Sequence, residues 1–260
     1  MMLQTESVRM GYGERTVVRE LTLEIPQGGF SVIVGPNGCG KSTVLRTLGR
    51  MLRPQAGRVL IDARDIRSLR TREVARRIGL LPQSPHAPDG VTVADLVGRG
   101  RYPHQRIWRQ WSREDERIVA QSLEEVGLLD CADRAVSELS GGQRQRAWIA
   151  MALAQQTPIL LLDEPTTYLD IAHQISVLDL CSTLHEQGRT LVMVLHDLNM
   201  AARYATHVIA MRDGGIIRQG RPEDVFTETM LRDVFDLDAS ILKDPNNGRP
   251  LIVPKDRRNQ

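Results

Sequence analysis

The nine residues Gly35-Pro36-Asn37-Gly38-Cys39-Gly40-Lys41-Ser42-Thr43 constrain this chain more than any other stretch. They spell G-x-x-x-x-G-K-[ST], the phosphate-binding loop pattern. The run Phe30-Ser31-Val32-Ile33-Val34 before them is short and β-branched, as a buried strand is. The run Val44-Leu45-Arg46-Thr47-Leu48 after them suits a helix. Strand, glycine loop and helix together are the context in which the pattern has a physical meaning. A triphosphate packs several negative charges into a small space. Glycines let backbone N–H groups turn inward around it, and the following helix points its positive end at the same place. Lys41 is expected to reach the β- and γ-phosphates, and the Ser42 hydroxyl to ligate Mg²⁺.

Length allows one large α/β domain or two small ones. A net charge of +2 is too near neutral to argue for nucleic acid as the main partner. Nearly all the basic residues are arginine; lysine occurs only at Lys41, Lys243 and Lys255, so the lysine inside the loop stands out. The three cysteines, Cys39, Cys131 and Cys181, have no metal-ligand spacing, which suits free thiols in a reducing compartment. Cys39 is either a handle by which thiol reagents block nucleotide binding or a small residue tolerated in the loop; the second reading is favoured. Residues 1–10 carry no charged-then-apolar signal pattern. No apolar run approaches the roughly 18 residues of a membrane span. The chain is therefore expected not to cross a membrane itself, though a partner can hold it on one.

Residues 3–10 and 17–25 read as strands, with Gly11-Tyr12-Gly13 as the turn, and residues 57–61 as another. They predict a small antiparallel sheet. Tyr12 can stack on a flat base or be a plain turn aromatic, and chemistry alone favours the turn. Residues 68–77 read as a helix with a solvated arginine face, and residues 78–81 as a buried strand stopped by Pro82. The Pro-rich loop from Gln83 to Gly90 reads as the hinge into an inserted helical lobe that runs to about residue 156. Within it Ser112 and Asp115 make a capping-box start. Residues 99–113 mix arginines with Tyr102, Trp108 and Trp111. Such a patch can bind nucleic acid or dock a protein; without a basic excess, docking is preferred.

A second phosphate-binding feature follows. Arg144 to Gln156 reads as a strong helix that Ser140 should cap, and the glycines Gly141 and Gly142 at its start, beside Gln143, leave its N–H groups accessible. Two such features fit one nucleotide poorly unless two chains each complete the other's site. Ile159-Leu160-Leu161-Leu162-Asp163-Glu164 is an apolar strand ending in two carboxylates. Ligands of parallel sheets sit at the carboxyl ends of strands, so Asp163 suits the Mg²⁺ shell and Glu164 a base that polarises the attacking water. A plain helix cap is the blander reading of that pair. His196, after the buried strand of residues 190–195, can donate a hydrogen bond to a γ-phosphate. A helix over residues 170–187, a hairpin over 207–219, short helices at 222–226 and 230–235, and a turn before residues 251–253 complete the reading.

In order and spacing, the loop Gly35 to Thr43, Gln83, Leu139-Ser140-Gly141-Gly142-Gln143, Ile159 to Glu164, Tyr168-Leu169-Asp170 and His196 resemble the nucleotide-binding subunits of ABC transporters. The resemblance covers nearly the whole chain. Residues 98–105, 144–148 and 166–173 are similar to the group of bacterial importers that take up ferric siderophores and vitamin B12. It implies an α/β fold: a P-loop NTPase cassette with a RecA-like parallel-sheet core, an antiparallel β subdomain and an inserted helical subdomain. Core and β subdomain would comprise residues 1–83 and 157–260, and the helical subdomain 84–156, all within one domain of residues 1–260. It implies ATP and Mg²⁺ as cofactors and a head-to-tail homodimer. In each site Lys41, Ser42, Gln83, Asp163, Glu164 and His196 hold one nucleotide, and Ser140, Gly141 and Gly142 of the second copy close over it. Gln83 joins Ser42 and Asp163 around the metal and senses the γ-phosphate. Tyr12 falls where the family stacks an aromatic ring on adenine.

The implied function is the ATP-hydrolysing motor of an inner-membrane importer, with a catecholate, enterobactin-like ferric siderophore as the favoured cargo. Partners would be integral permease subunits and, indirectly, a periplasmic or surface siderophore-binding protein, with no nucleic acid. The chain would sit peripherally on the cytoplasmic face of the inner membrane. Vitamin B12 or haem import is the alternative cargo assignment. An ABC ATPase acting on nucleic acid is opposed by the lack of sustained heptads between Lys41 and Leu139.

Overall fold

The computed structural model describes residues 1–83, 87–105, 111–167 and 169–256. Residues 84–86 of the hinge loop, Trp108 of the aromatic patch, Tyr168 and the tail arginines Arg257 and Arg258 lie outside the described residues. In chain order, β1 (Leu3–Tyr12), β2 (Arg15–Ile25) and β3 (Phe30–Val34) precede α1 (Lys41–Leu48), β4 (Ala56–Ile61) and β5 (Arg64–Asp65). Next come α2 (Thr71–Ala75), β6 (Ile78–Leu81), α3 (Val93–Gly98), α4 (Arg113–Glu125), α5 (Gly141–Ala154), β7 (Ile159–Asp163) and α6 (Ile171–Glu186). Then follow β8 (Thr190–Val194), α7 (Leu198–Tyr204), β9 (His207–Arg212), β10 (Gly215–Gly220), α8 (Pro222–Val225), α9 (Glu228–Phe235), β11 (Ala239–Lys243) and β12 (Pro250–Pro254). Two compact units result: Met1–Ser68 with Thr190–Gln260, and Leu69–Arg189.

In the first unit, β2, β1, β4 and β5 form the antiparallel sheet in that order. Along β1 the buried residues Thr5 and Val8 are three apart, not two, because the strand register shifts between them. Ser7 takes a left-handed backbone there (φ 42°), and this bulge keeps both side chains on the buried face. Buried Thr5 is satisfied: its hydroxyl donates to the Leu21 carbonyl and accepts from Leu23 N–H, both at 2.9 Å. The same unit also holds parallel strands. β3 pairs in parallel with β8 on one side and β9 on the other, and β10 returns antiparallel to β9. Every residue of β3 and β8 is buried, as parallel strands covered on both faces are.

In the second unit, β6 and β7 pair in parallel, Ile78 opposite Ile159 through Leu81 opposite Leu162. Helices α3, α4 and α5 pack on one another, burying Leu96, Val97, Ile118, Leu123, Ala150 and Leu153. Ser112 and Asp115 form the expected capping box at the start of α4.

Several local expectations shift. β1 continues through Gly11 and Tyr12, so the turn is at Gly13 and Glu14. Gly11 is a strand glycine because a Cβ there would run into the Arg15 carbonyl across the hairpin. The helix expected over residues 68–77 is confined to α2, since Ser68 instead closes a turn on the Asp65 carbonyl. Ile171 is 67% exposed in the first turn of α6. Strand β11 was not expected; it exists because β12 pairs with it along its whole length.

Candidate functional site

The phosphate loop leaves β3 and enters α1 within the first unit. Gly35 (φ 155°) and Gly40 (φ 105°) occupy backbone regions that side chains rarely adopt. They also lack room: a Cβ on Gly35 would meet the Met211 carbonyl, and one on Gly40 would lie 2.9 Å from Val18 Cγ2. The cradle is thus shaped by walls from β9 and β2. Lys41 is buried, and its Nζ donates to the carbonyls of Gly35 (2.8 Å) and Pro36 (3.0 Å), which folds the ammonium back over the loop. Gly40 caps α1 without a side-chain acceptor, so no side chain of the cap competes with an anion for the first helical N–H groups. Asn37 and Gly38 are exposed at the rim; Ser42 is half-buried and Thr43 buried on the first turn of α1.

Cys39 is buried, and its carbonyl accepts from Gly214 N–H at 3.2 Å. Burial pushes its thiol pKa up against the lowering pull of Lys41. A thiol that is covered and protonated is a poor nucleophile, in keeping with a tolerated small residue. β3 and β8 are parallel neighbours, so the loop and exposed His196 leave at the same, carboxyl, end of the strands. Tyr12, at the end of β1, is 47% exposed, and its hydroxyl lies 3.5 Å from Arg46 Nη1.

In the second unit, β7 carries Asp163 and Glu164 to its carboxyl end. Asp163 is buried to 1% exposure. Glu164 holds a left-handed backbone (φ 52°), a conformation worth about 1–3 kcal/mol of strain in a non-glycine residue and concentrated at functional sites. Its Oε2 accepts from Gln83 Nε2 at 2.6 Å and from the Thr167 hydroxyl at 3.1 Å. Gln83, just past β6, and Glu164, just past β7, are therefore brought together. Ser140 caps α5: its hydroxyl accepts from Gln143 N–H (3.2 Å) and Gln143 Oε1 accepts from Ser140 N–H (3.1 Å). Gly141 is exposed with open space above it.

Sequence reasoning missed two participants. Thr167 steadies the Glu164 carboxylate. His173 is held by Asp170, whose carboxylate caps α6 through His173 N–H (2.9 Å) and meets His173 Nδ1 at 2.8 Å. These bonds, backbone first, hold Asp170 below the usual carboxylate range. The signal was present in the three-residue spacing of Asp170 and His173, which an N-cap reading exposes. Sequence reasoning also placed Arg101 in a surface patch. It is instead 4% exposed, because Asp115 Oδ1 (2.8 Å), the Ala154 carbonyl (2.8 Å) and Gln156 Oε1 (2.9 Å) satisfy its guanidinium inside the lobe.

A glycine cradle opening a helix after a parallel strand, and a strained carboxylate after another, define a P-loop nucleotide-binding cassette. The family model described as ABC transporter matches residues 18–167, and the chain belongs to that family. It is 52% identical over 256 residues to the ferric enterobactin transport ATP-binding protein FepC of Escherichia coli (strain K12), covering 98% of this chain and 94% of that protein. It is also 52% identical over 253 residues to the petrobactin import ATP-binding protein FpuD of Bacillus anthracis, covering 97% and 93%. Among solved structures, a metal-chelate type ABC transporter in an inward-facing conformation superposes with a TM-score of 0.84 at 28% identity, covering 99% of this chain and 98% of that one. The fold is that of the ABC cassette.

Proposed function

We propose that this chain is the ATP-hydrolysing motor of an importer for ferric siderophores. The observation that carries the hydrolytic reading is Glu164: a buried, left-handed carboxylate at a strand end, aimed by Gln83 and Thr167. The near full-length likeness to two import ATPases supports the transport role.

The loop's residues fit a triphosphate, since Gly35 and Gly40 hold backbone conformations that side chains rarely adopt and that let N–H groups turn inward. Backbone N–H groups of Asn37, Gly38, Gly40 and Thr43 surround the phosphates, and Lys41 exchanges its two loop carbonyls for phosphate oxygens. Tyr12 stacks on adenine. The Ser42 hydroxyl, Asp163 and Gln83 are oxygen donors suited to a hard cation such as Mg²⁺, which would supply neutralisation of phosphate charge. Glu164 accepts the proton of the attacking water, and His196 donates to the γ-phosphate. Ser140, Gly141, Gly142 and Gln143 of a second copy close the site. Such catalysis is positioning and charge stabilisation, so an isolated copy is slow.

The helical lobe, residues 84–156, carries the coupling. A cavity of about 710 Å³ opens in it, lined by Val91, Ala94, Val119 and Leu123 with Tyr102 and Trp111 among its walls. Tyr102 (63%) and Trp111 (45%) are exposed, and Asp89, Asp95 and Glu116 add acidic groups. An amphipathic, basic-flanked segment of a membrane permease fits this groove, with Trp and Tyr as anchors. Among the described residues no helix is long and apolar enough to cross a membrane. The permease would hold the chain at the cytoplasmic face of the inner membrane, with a siderophore-binding protein on the far side. Trp111→Glu is expected to weaken permease co-purification by about tenfold or more, an anchor aromatic being worth roughly 2 kcal/mol, while ATP hydrolysis in solution persists. Undiminished co-purification would remove the groove from the docking surface.

The functional reading is tested by uptake of radiolabelled ferric enterobactin, other ferric siderophores, haem and vitamin B12 in cells lacking the chain. Wild type, and not Glu164→Gln, is expected to restore one ferric siderophore. Restoration of vitamin B12 or haem alone would reassign the cargo, and normal uptake of every cargo without the chain would defeat the import role.

A further inference from the structure

Two cations of the second unit are held beside one another without a counter-charge. Arg72 lies in α2 and Arg76 at its C-cap, one helical turn on, and both are exposed. Each directs its Nε at the same acceptor, the Pro103 carbonyl, at 2.7 and 2.8 Å. That oxygen is fixed from both sides along the chain. Arg101 is buried on Asp115 at 2.8 Å, His104 N–H donates to the Arg101 carbonyl at 2.8 Å, and His104 Nε2 donates to the Gln155 carbonyl at 2.8 Å. Glu73, between the two arginines in sequence, pairs instead with Arg77 at 2.9 Å. Among the described residues no carboxylate forms an ion pair with Arg72 or Arg76, and their Nη groups have no acceptor. Burial first, then the Arg101 and Arg76 cations, hold the His104 pKa below its ordinary value against the pull of the Gln155 carbonyl, as a positive surround does.

We propose that Arg72 and Arg76 form a binding site for a phosphate group, with the headgroup of an anionic phospholipid as the source that the surroundings favour. One neutral carbonyl oxygen offsets only part of two like charges, so the pair is stabilised when an oxyanion joins it. A guanidinium fork matches phosphate oxygens two at a time. Two forks already aligned on one oxygen lose little freedom when they bind a second group, and such pre-alignment favours affinity. Tyr102, one residue before the shared carbonyl, is 63% exposed. Tyrosine is enriched at the lipid–water boundary, and arginines beside it are drawn to an anionic leaflet. The site uses none of the nucleotide-binding residues, so the inference stands independently of the import reading.

The test uses the full chain saturated with ADP, so that the phosphate loop is filled. It measures co-sedimentation with phosphatidylcholine vesicles, with and without phosphatidylglycerol, and calorimetric titration with pyrophosphate. The wild type is expected to bind the phosphatidylglycerol vesicles and not those of phosphatidylcholine alone, less tightly as salt is raised. Arg72→Gln and Arg76→Gln are each expected to weaken that binding about tenfold, the worth of a hydrogen bond to a charged group, and together to abolish it, with thermal melts near the wild type's. Arg72→Lys with Arg76→Lys keeps both charges and the donors to Pro103 but loses the forks; it is expected to bind between the wild type and the double Gln variant. Arg9→Gln with Arg19→Gln, the same change of charge at exposed positions of β1 and β2, is expected to leave vesicle binding unchanged. Pyrophosphate bound by the wild type and not by the double Gln variant, without vesicle binding, keeps the phosphate site and reassigns its source to a free phosphate. Absence of both kinds of binding in the wild type, binding unchanged in the double Gln variant, or an equal loss in the Arg9 and Arg19 control overturns the site. So does a double Gln variant whose one defect is loss of permease co-purification, which would make the pair a protein-docking feature.

Discussion

Glu164→Gln is expected to bind ATP with wild-type affinity and to hydrolyse it about 10²–10⁴-fold more slowly, the usual worth of a positioned general base. The substitution preserves shape. The amide oxygen can take the place of Oε2 as acceptor from Gln83 and Thr167, so the left-handed turn keeps its supports. What is lost is the negative charge that, in the proposed mechanism, draws the proton from the attacking water. Since ATP then persists, the two-copy state should accumulate, and size-exclusion chromatography with ATP should show a dimer that the wild type shows only briefly. Hydrolysis at the wild-type rate would remove Glu164 as the base. A loss of ATP binding would assign it to nucleotide affinity instead.

Arg101→Ala is expected to be strongly destabilising although it lies outside the nucleotide site. Arg101 and Asp115 form an ion pair at 2.8 Å with side chains 5% and 9% exposed. Breaking such a pair from one side costs about 3–5 kcal/mol, because the remaining charge stays buried. For a chain of this size that corresponds to a fall in Tm of about 10 °C. Burial pulls the Asp115 carboxyl up, yet the Arg101 guanidinium and Ser112 hydroxyl prevail and hold it below its ordinary value. Its stabilising contribution is therefore present above about pH 4 and is lost as pH falls through the lower native value. Without Arg101, burial dominates. The variant's deficit should shrink on acidification, as Asp115 becomes neutral. A thermal melt of Arg101→Ala matching the wild type at neutral pH would show the pair to be dispensable. Asp115→Asn in the Arg101→Ala background should recover part of the loss.

Much of this molecule is legible in one dimension. The phosphate loop, the caps at Ser112 and Ser140 and the apolar strand ending at Asp163 and Glu164 each depend on residues a few positions apart. Their hydrogen bonds and dihedral demands are local, so the side-chain types disclose them. The buried parallel strands are legible for a related reason: covering on both faces leaves an unbroken apolar run. Gly11 shows where this stops, since a turn glycine and a strand glycine look alike until the Arg15 carbonyl comes to face it.

The amino-acid sequence by itself thus determined the cassette fold and its phosphate-loop pattern. Tertiary structure alone decided that Arg101 points inward to Asp115 and the Ala154 carbonyl, and that β11 finds β12. It decided as well that Glu164 adopts a left-handed backbone and that His173 lies against Gly142. The physical reason is the same in each case. A long arginine, a short apolar strand, a carboxylate and an imidazole all have several acceptable local states, and the one adopted is selected by neighbours distant in the chain.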